Sequence, residues 1–173
     1  SDAAARSRLC DVIPRIPRQC ATEFGGHTRR LLSCDRLVIS PGVPWDLPIL
    51  KEARRRGIPV EAEIELGWRL GRPRRTIAVT GTNGKTTTTA LLGAMFRAAK
   101  RRAIVAGNIG TPLSAVPPAA IRRAEAVVLE VSSYQAEAMQ AFRANVVVVL
   151  NVTPDHLGRH RTMRRYAAAK ARL

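Results

Sequence analysis

From Arg36 onward, short apolar runs alternate with longer mixed segments, and the two periods predict the elements. Leu37-Val38-Ile39 reads as a short buried-type strand closed by the Ser40-Pro41-Gly42 turn. Pro48 to Arg56 reads as a helix with Gly57 as its stop, and a second strand is expected near Ile58 to Glu61. Glu63 to Leu70 has the pattern of a short helix that Gly71-Arg72-Pro73 breaks, which places the expected domain boundary at residues 71–75. Strands are then predicted at Thr76–Thr80, Ala103–Ala106, Ala126–Val131 and Val146–Val152. Helices are predicted at Lys85–Arg101, Ser133–Phe142 and Met163 to the terminus. Residues 1–28 show neither period; they are expected to be poorly ordered or divergent, with a weak strand at Cys10 to Ile13. Apolar strands alternating with helices imply an α/β fold with a parallel sheet covered on both faces. Ligands of such sheets bind beyond the carboxyl ends of the strands, where three polar clusters fall here: Gly81–Thr86, Glu130–Gln135 and Asn151–His156.

Composition narrows the class. With 173 residues and 46% hydrophobic positions, the chain has the makings of one ordinary domain or two small ones. The apolar run Val146 to Leu150 is far short of the ~20 residues that cross a bilayer, so no membrane span is expected. Cys10, Cys20 and Cys34 are odd in number and form no CxxC pair, pointing to reduced thiols and a cytoplasmic setting. The charge is unusual: 29 Lys and Arg against 13 Asp and Glu give a formal +16. That balance favours phosphate-rich partners, and a basic module binding nucleic acid or a partner protein is the alternative reading. Against it, the arginines are scattered and aromatics make up 4% of the chain, too few for a base-stacking surface.

The strongest chemical signal is Val79-Thr80-Gly81-Thr82-Asn83-Gly84-Lys85-Thr86-Thr87. Glycines between a strand and a helix let successive amides curl toward a polyphosphate, with the helix amino end behind them. Lys85 would reach the terminal phosphates and the Thr86 hydroxyl would take Mg²⁺. The pattern departs from the general phosphate loop, whose first glycine would stand at Val79. Glu130, ending an apolar strand, is either a carboxylate for Mg²⁺ or a strand-edge acid without a ligand. Ser132, Ser133 and Gln135 are either helix caps or polar contacts for a sugar-phosphate substrate. His156 is a lone histidine whose case rests on the two other clusters, and Asn108 ends the remaining strand inside a glycine-flanked turn.

Taken together, VTGTNGKTTTT, AGNIGTPL, LEVSSYQAE and NVTPDHLGRH, in this order, resemble the Mur ligases, and DRLVISPGVPWDLPILKEARRRGIPVEAEIEL resembles the approach to their central domain. Within the family the motifs are most similar to those of the ligase that adds D-glutamate to UDP-N-acetylmuramoyl-L-alanine. The resemblance implies the end of a Rossmann-like UDP-binding domain over residues 29–72. It implies the first part of a phosphate-loop ATPase domain over residues 73–173. The implied activity is ATP-dependent amide synthesis through an acyl phosphate, by a cytoplasmic monomer working on peptidoglycan precursors. By matching position, Gly81, Thr82, Asn83, Gly84, Lys85, Thr86 and Thr87 would hold ATP. Glu130 and His156 would hold a second Mg²⁺, supported by Lys170 if it is carbamylated. Asn108, Ser132 and Gln135 would contact the muramoyl substrate, and Gly42 its UDP end. Gly158 departs from the family pattern, standing where an acidic residue is usual. The resemblance runs from about Phe24 to Leu173, without the first UDP-binding unit or the C-terminal domain. A fragment inactive by itself is therefore expected.

Overall fold

A computed structural model describes residues 2–4, 7, 11 and 13–173. The strand expected at Cys10 to Ile13 lies outside the described residues, apart from Asp11 and from Ile13, which opens a 3-10 turn, Ile13–Arg15. The chain divides into two compact units: Ser1–Leu37 with Asp46–Val60, and Val38–Trp45 with Glu61–Leu173. Strands β1 (Leu37–Ile39) and β2 (Val60–Ala62) pair as a two-stranded sheet.

In the first unit, an isolated bridge ties Asp2 to Phe24, and a 3-10 turn, Arg29–Ser33, starts where the Thr28 side chain accepts from the Arg30 amide. Helix α1 (Pro48–Arg55) begins on a proline, whose missing N–H costs nothing at that position, and buries Leu50 and Ala53. Its Glu52 pairs with Arg56 at 2.8 Å, one turn on.

The second unit holds helix α2 (Glu63–Gly71) and a four-stranded sheet. The strands are β3 (Thr76–Thr80), β4 (Ala103–Gly107), β5 (Ala126–Glu130) and β6 (Val146–Val149), in the order β4-β5-β3-β6. Every pairing is parallel. The registers Val79 with Glu130, Gly107 with Glu130, and Thr80 with Val149 bring all four carboxyl ends to one rim. Every residue of β5 is buried, which suits its unbroken apolar run, whereas β6 is an edge with Val146, Val147 and Val149 exposed. Gly107 lies hard against β5: at φ +124°, any Cβ there would overlap the Glu130 carbonyl oxygen.

Helices α3 (Lys85–Ala98), α4 (Pro118–Arg123), α5 (Ser133–Glu137), α6 (Leu157–His160) and α7 (Met163–Lys170) complete this unit. Several elements are shorter than the sequence predicts: α3 stops at Ala98, α5 at Glu137, β6 at Val149 and α7 at Lys170, while α1 and β5 each end one residue early. Two helices, α4 and α6, were not anticipated. The early end of α5 has a visible cause. The buried Glu65 carboxylate on α2 accepts from Gln140 and Phe142 amides at 2.8 Å each and from the Ala141 amide between them. Those amides have turned away from any helical partner, and Trp68 packs edge-on against Phe142 with ring centres 5.3 Å apart. Among the described residues, no helix is long and apolar enough to cross a membrane.

Candidate functional site

The phosphate loop connects β3 to α3 across the carboxyl rim. Gly84 caps α3 in the left-handed region at φ 82°, a conformation that a side chain would strain. The loop is wrapped around its own lysine. Lys85 Nζ donates to the Gly81 carbonyl at 3.0 Å and to the Thr82 carbonyl at 2.7 Å. An ammonium group held by two neutral carbonyls can move to a stronger anionic acceptor.

One helical position on, Thr86 Oγ1 donates to Glu130 Oε2 at 2.8 Å, linking the start of α3 to the end of β5. The other Glu130 oxygen accepts from Asn108 Nδ2 at 3.1 Å, and the Asn108 amide donates to the Glu130 carbonyl at 2.8 Å. Glu130 is 2% exposed. Thus two of the sequence-selected residues, Thr86 at the start of α3 and Asn108 after β4, converge on the buried carboxylate of a third, Glu130, at the end of β5.

Ser132 and Gln135 are brought together as well, but on each other. The Gln135 amide donates to Ser132 Oγ at 3.2 Å and Gln135 Oε1 accepts from the Ser132 amide at 3.0 Å, a reciprocal cap on α5. The buried Ser133 hydroxyl faces His160 Nε2 at 3.0 Å.

His156 sits at the start of α6 with φ 53°. Its Nδ1 is 3.2 Å from the Tyr134 hydroxyl and its Nε2 is 3.5 Å from Asp155 Oδ2. The ring also meets Tyr166 edge-on, with centres 6.1 Å apart, and the Tyr166 hydroxyl lies 3.1 Å from Thr82 Oγ1 in the loop. His156 therefore reaches the phosphate loop through a ring cluster that also holds His160, whose imidazole burial pushes below its ordinary value. Arg159 fastens α6 in place, pairing with Glu137 at 3.0 Å, covering the Tyr134 ring at 4.6 Å and donating to the Val43 carbonyl at 3.1 Å. Gly42, next to Val43, is exposed, as is Gly158, where an added Cβ would meet nothing within 4 Å.

Lys170 is buried at the end of α7, with Nζ 2.8 Å from the Gly81 carbonyl and 3.4 Å from Thr80 Oγ1. It also lies 4.6 Å from the centre of the Tyr166 ring. Burial, followed by the nearby Lys85 charge, pulls its amine down to about 8. Sequence reasoning passed over Asn151, Tyr134 and Tyr166. Asn151 was visible as the opening residue of a polar cluster after an apolar run, while the tyrosines carried no spacing signal that separates them from core residues.

Residues 79–173 match the Mur ligase middle domain, so the matched region begins at the end of β3 and takes in the loop, Glu130, His156 and Lys170. The chain belongs to the Mur ligase family. It is 44% identical over 176 residues to the UDP-N-acetylmuramoylalanine–D-glutamate ligase of Koribacter versatilis, covering 100% of this chain and 38% of that protein. The same-named ligase of Anaeromyxobacter dehalogenans is 45% identical over 174 residues, with 100% and 37% covered. That of Pelotomaculum thermopropionicum is 50% identical over 144 residues, with 82% and 30% covered. The chain thus spans less than half the length of these Mur ligases.

Proposed function

We propose that this chain supplies the ATP-phosphate and Mg²⁺ site of a Mur ligase that joins D-glutamate to UDP-N-acetylmuramoyl-L-alanine in the cytoplasm. The observation that carries the reading is the buried Glu130 carboxylate, bonded to Thr86 beside a loop curled around Lys85. The domain division proposed with it is a UDP-binding portion over residues 29–72 and an ATP-binding portion from residue 73.

The donor set fits magnesium. Among the described residues no group of three or more His, Cys, Asp or Glu gathers in one place. Mg²⁺ seldom uses such a cage; it takes one or two carboxylates, phosphate oxygens and water. Thr86 Oγ1 and Glu130 Oε2, already 2.8 Å apart, are the oxygens that would hold the ion beside the loop phosphates. Glu130 and His156 would hold a second ion, which neutralises charge where two anions must meet. Lys170 would support it as a carbamate. An amine at about 8 is substantially unprotonated near that pH, and its lone pair can form an N–C bond to CO₂ with loss of one proton.

The reaction class is acyl transfer through an acyl phosphate. A carboxylate oxygen of the muramoyl substrate attacks the γ-phosphorus and ADP leaves. The amine of D-glutamate then attacks the acyl carbon, phosphate leaves and the amine proton is lost. In the first step Lys85 would leave the Gly81 and Thr82 carbonyls for the terminal phosphates. Asn108, Ser132 and Gln135 would orient the muramoyl carboxylate, and Gly42 would lie toward the UDP end.

Calorimetric titration with Mg·ATP tests the phosphate site. The unaltered chain binds in a Mg²⁺-dependent manner, and Lys85→Ala weakens binding roughly tenfold to a hundredfold, the worth of a charge-assisted bond. Equal binding by both proteins, or binding indifferent to Mg²⁺, contradicts the reading.

A further inference from the structure

We propose that Asn151 is the positioning residue of the phosphate loop, an uncharged clamp that orients the loop's first amides so that the later ones are free for polyphosphate. The inference rests on the nucleotide reading above and deepens it.

The clamp grows out of the β6 ladder. The Leu150 amide donates to the Thr80 carbonyl at 3.0 Å, so the register of β6 against β3 carries straight on to Asn151. There the side-chain oxygen accepts from two consecutive loop amides, Thr82 at 3.0 Å and Asn83 at 2.9 Å, while Nδ2 donates back to the Asn83 carbonyl at 3.2 Å. The Thr82 amide is shared with the Asn151 carbonyl at 3.0 Å. Two residues on, the Thr153 amide donates to Thr82 Oγ1 at 3.0 Å, fixing the loop residue at its side chain as well.

The residue type matters. A carboxamide offers an acceptor to the two amides without placing a negative charge beside a triphosphate, and it has a donor left for Asn83. A carboxylate at the same position would accept from the same amides and repel the ligand. With Thr82 and Asn83 engaged, the amides that remain at the entry to α3 are those of Gly84, Lys85, Thr86 and Thr87, at the positive end of the helix.

Inorganic Mg·tripolyphosphate, which has neither base nor sugar, probes the loop alone, and amide hydrogen exchange reads the clamp without any ligand. In Asn151→Ala, protection at Asn83 is lost, that at Thr82 falls less because the main-chain carbonyl at position 151 still accepts from it, β5 amides keep theirs, and tripolyphosphate affinity falls about tenfold or more. Asn151→Asp keeps the protection yet binds weakly. Unchanged protection in Asn151→Ala, or lost protection with unchanged affinity, would overturn the clamp. Failure of the unaltered chain to bind tripolyphosphate would instead sink the nucleotide reading, and the exchange arm would still decide whether Asn151 holds the loop.

Discussion

Glu130 and Lys170 are the two buried charges whose surroundings say most about chemistry. Glu130 has one oxygen on Thr86 and the other on Asn108, so Glu130→Gln can keep both partners, its oxygen accepting from Asn108 and its NH₂ donating to the Thr86 hydroxyl, and fold normally. What it loses is the charge, and the Mg²⁺ concentration needed for half-maximal ATP binding should rise roughly tenfold to a hundredfold, as for other altered metal ligand shells. As the free amine, before any carbamylation, Lys170 makes a pH prediction. Its folded-state value of about 8 lies below the ordinary 10.5, so between these values the unfolded chain binds more protons. Stability therefore rises with pH across that window, and the burial penalty is felt in full below it. Denaturant midpoints measured from pH 7 to pH 10.5 should climb for the unaltered chain and stay flatter for Lys170→Met. A parallel rise in both would assign the effect to other groups.

At the scale of elements, the second unit is held together by a carboxylate as much as by its sheet. Glu65 on α2 accepts from three consecutive amides at Gln140–Phe142, beyond the last turn of α5. Glu65→Ala should cost roughly 3–5 kcal/mol in urea denaturation, because buried donors are left unpaired. A loss under about 1 kcal/mol would show that water replaces the carboxylate easily. The same contact explains a limit of the sequence. Ala136, Met139 and Phe142 have helical spacing and are all buried, yet the helix ends at Glu137 because the amides after it answer to a residue 75 positions earlier. No local pattern reveals such a partner. By contrast β3, with its apolar residues and glycine-bearing exit, is read to the residue, because period and turn chemistry are both local. Helix α4 was legible and missed: Pro117-Pro118 is a helix-start signal as much as a breaker. The candidate site divides in the same way. The loop and Glu130 could be placed from strand ends, and Ser132 and Gln135 carry the local spacing of a cap, whereas the partnership of Asn151 with the loop needed the fold.

For the molecule as a whole, a formal charge of +16 would let any polyanion adhere, so affinity for ATP by itself says little about where it binds. Geometry separates the two cases within the sheet unit. The carboxyl rim carries Thr86, Glu130 and Asn108, while Arg101 and Arg102 precede β4 at the opposite rim. The decisive measurement is paramagnetic broadening of amide NMR signals by Mn²⁺·ATP bound in place of Mg²⁺·ATP. The account predicts the strongest broadening at Gly84–Thr86, at Glu130 and at His156, with Arg101 and Arg102 spared. Broadening centred on Arg101 and Arg102, or spread evenly over the arginines, would contradict a magnesium–triphosphate site at the strand ends.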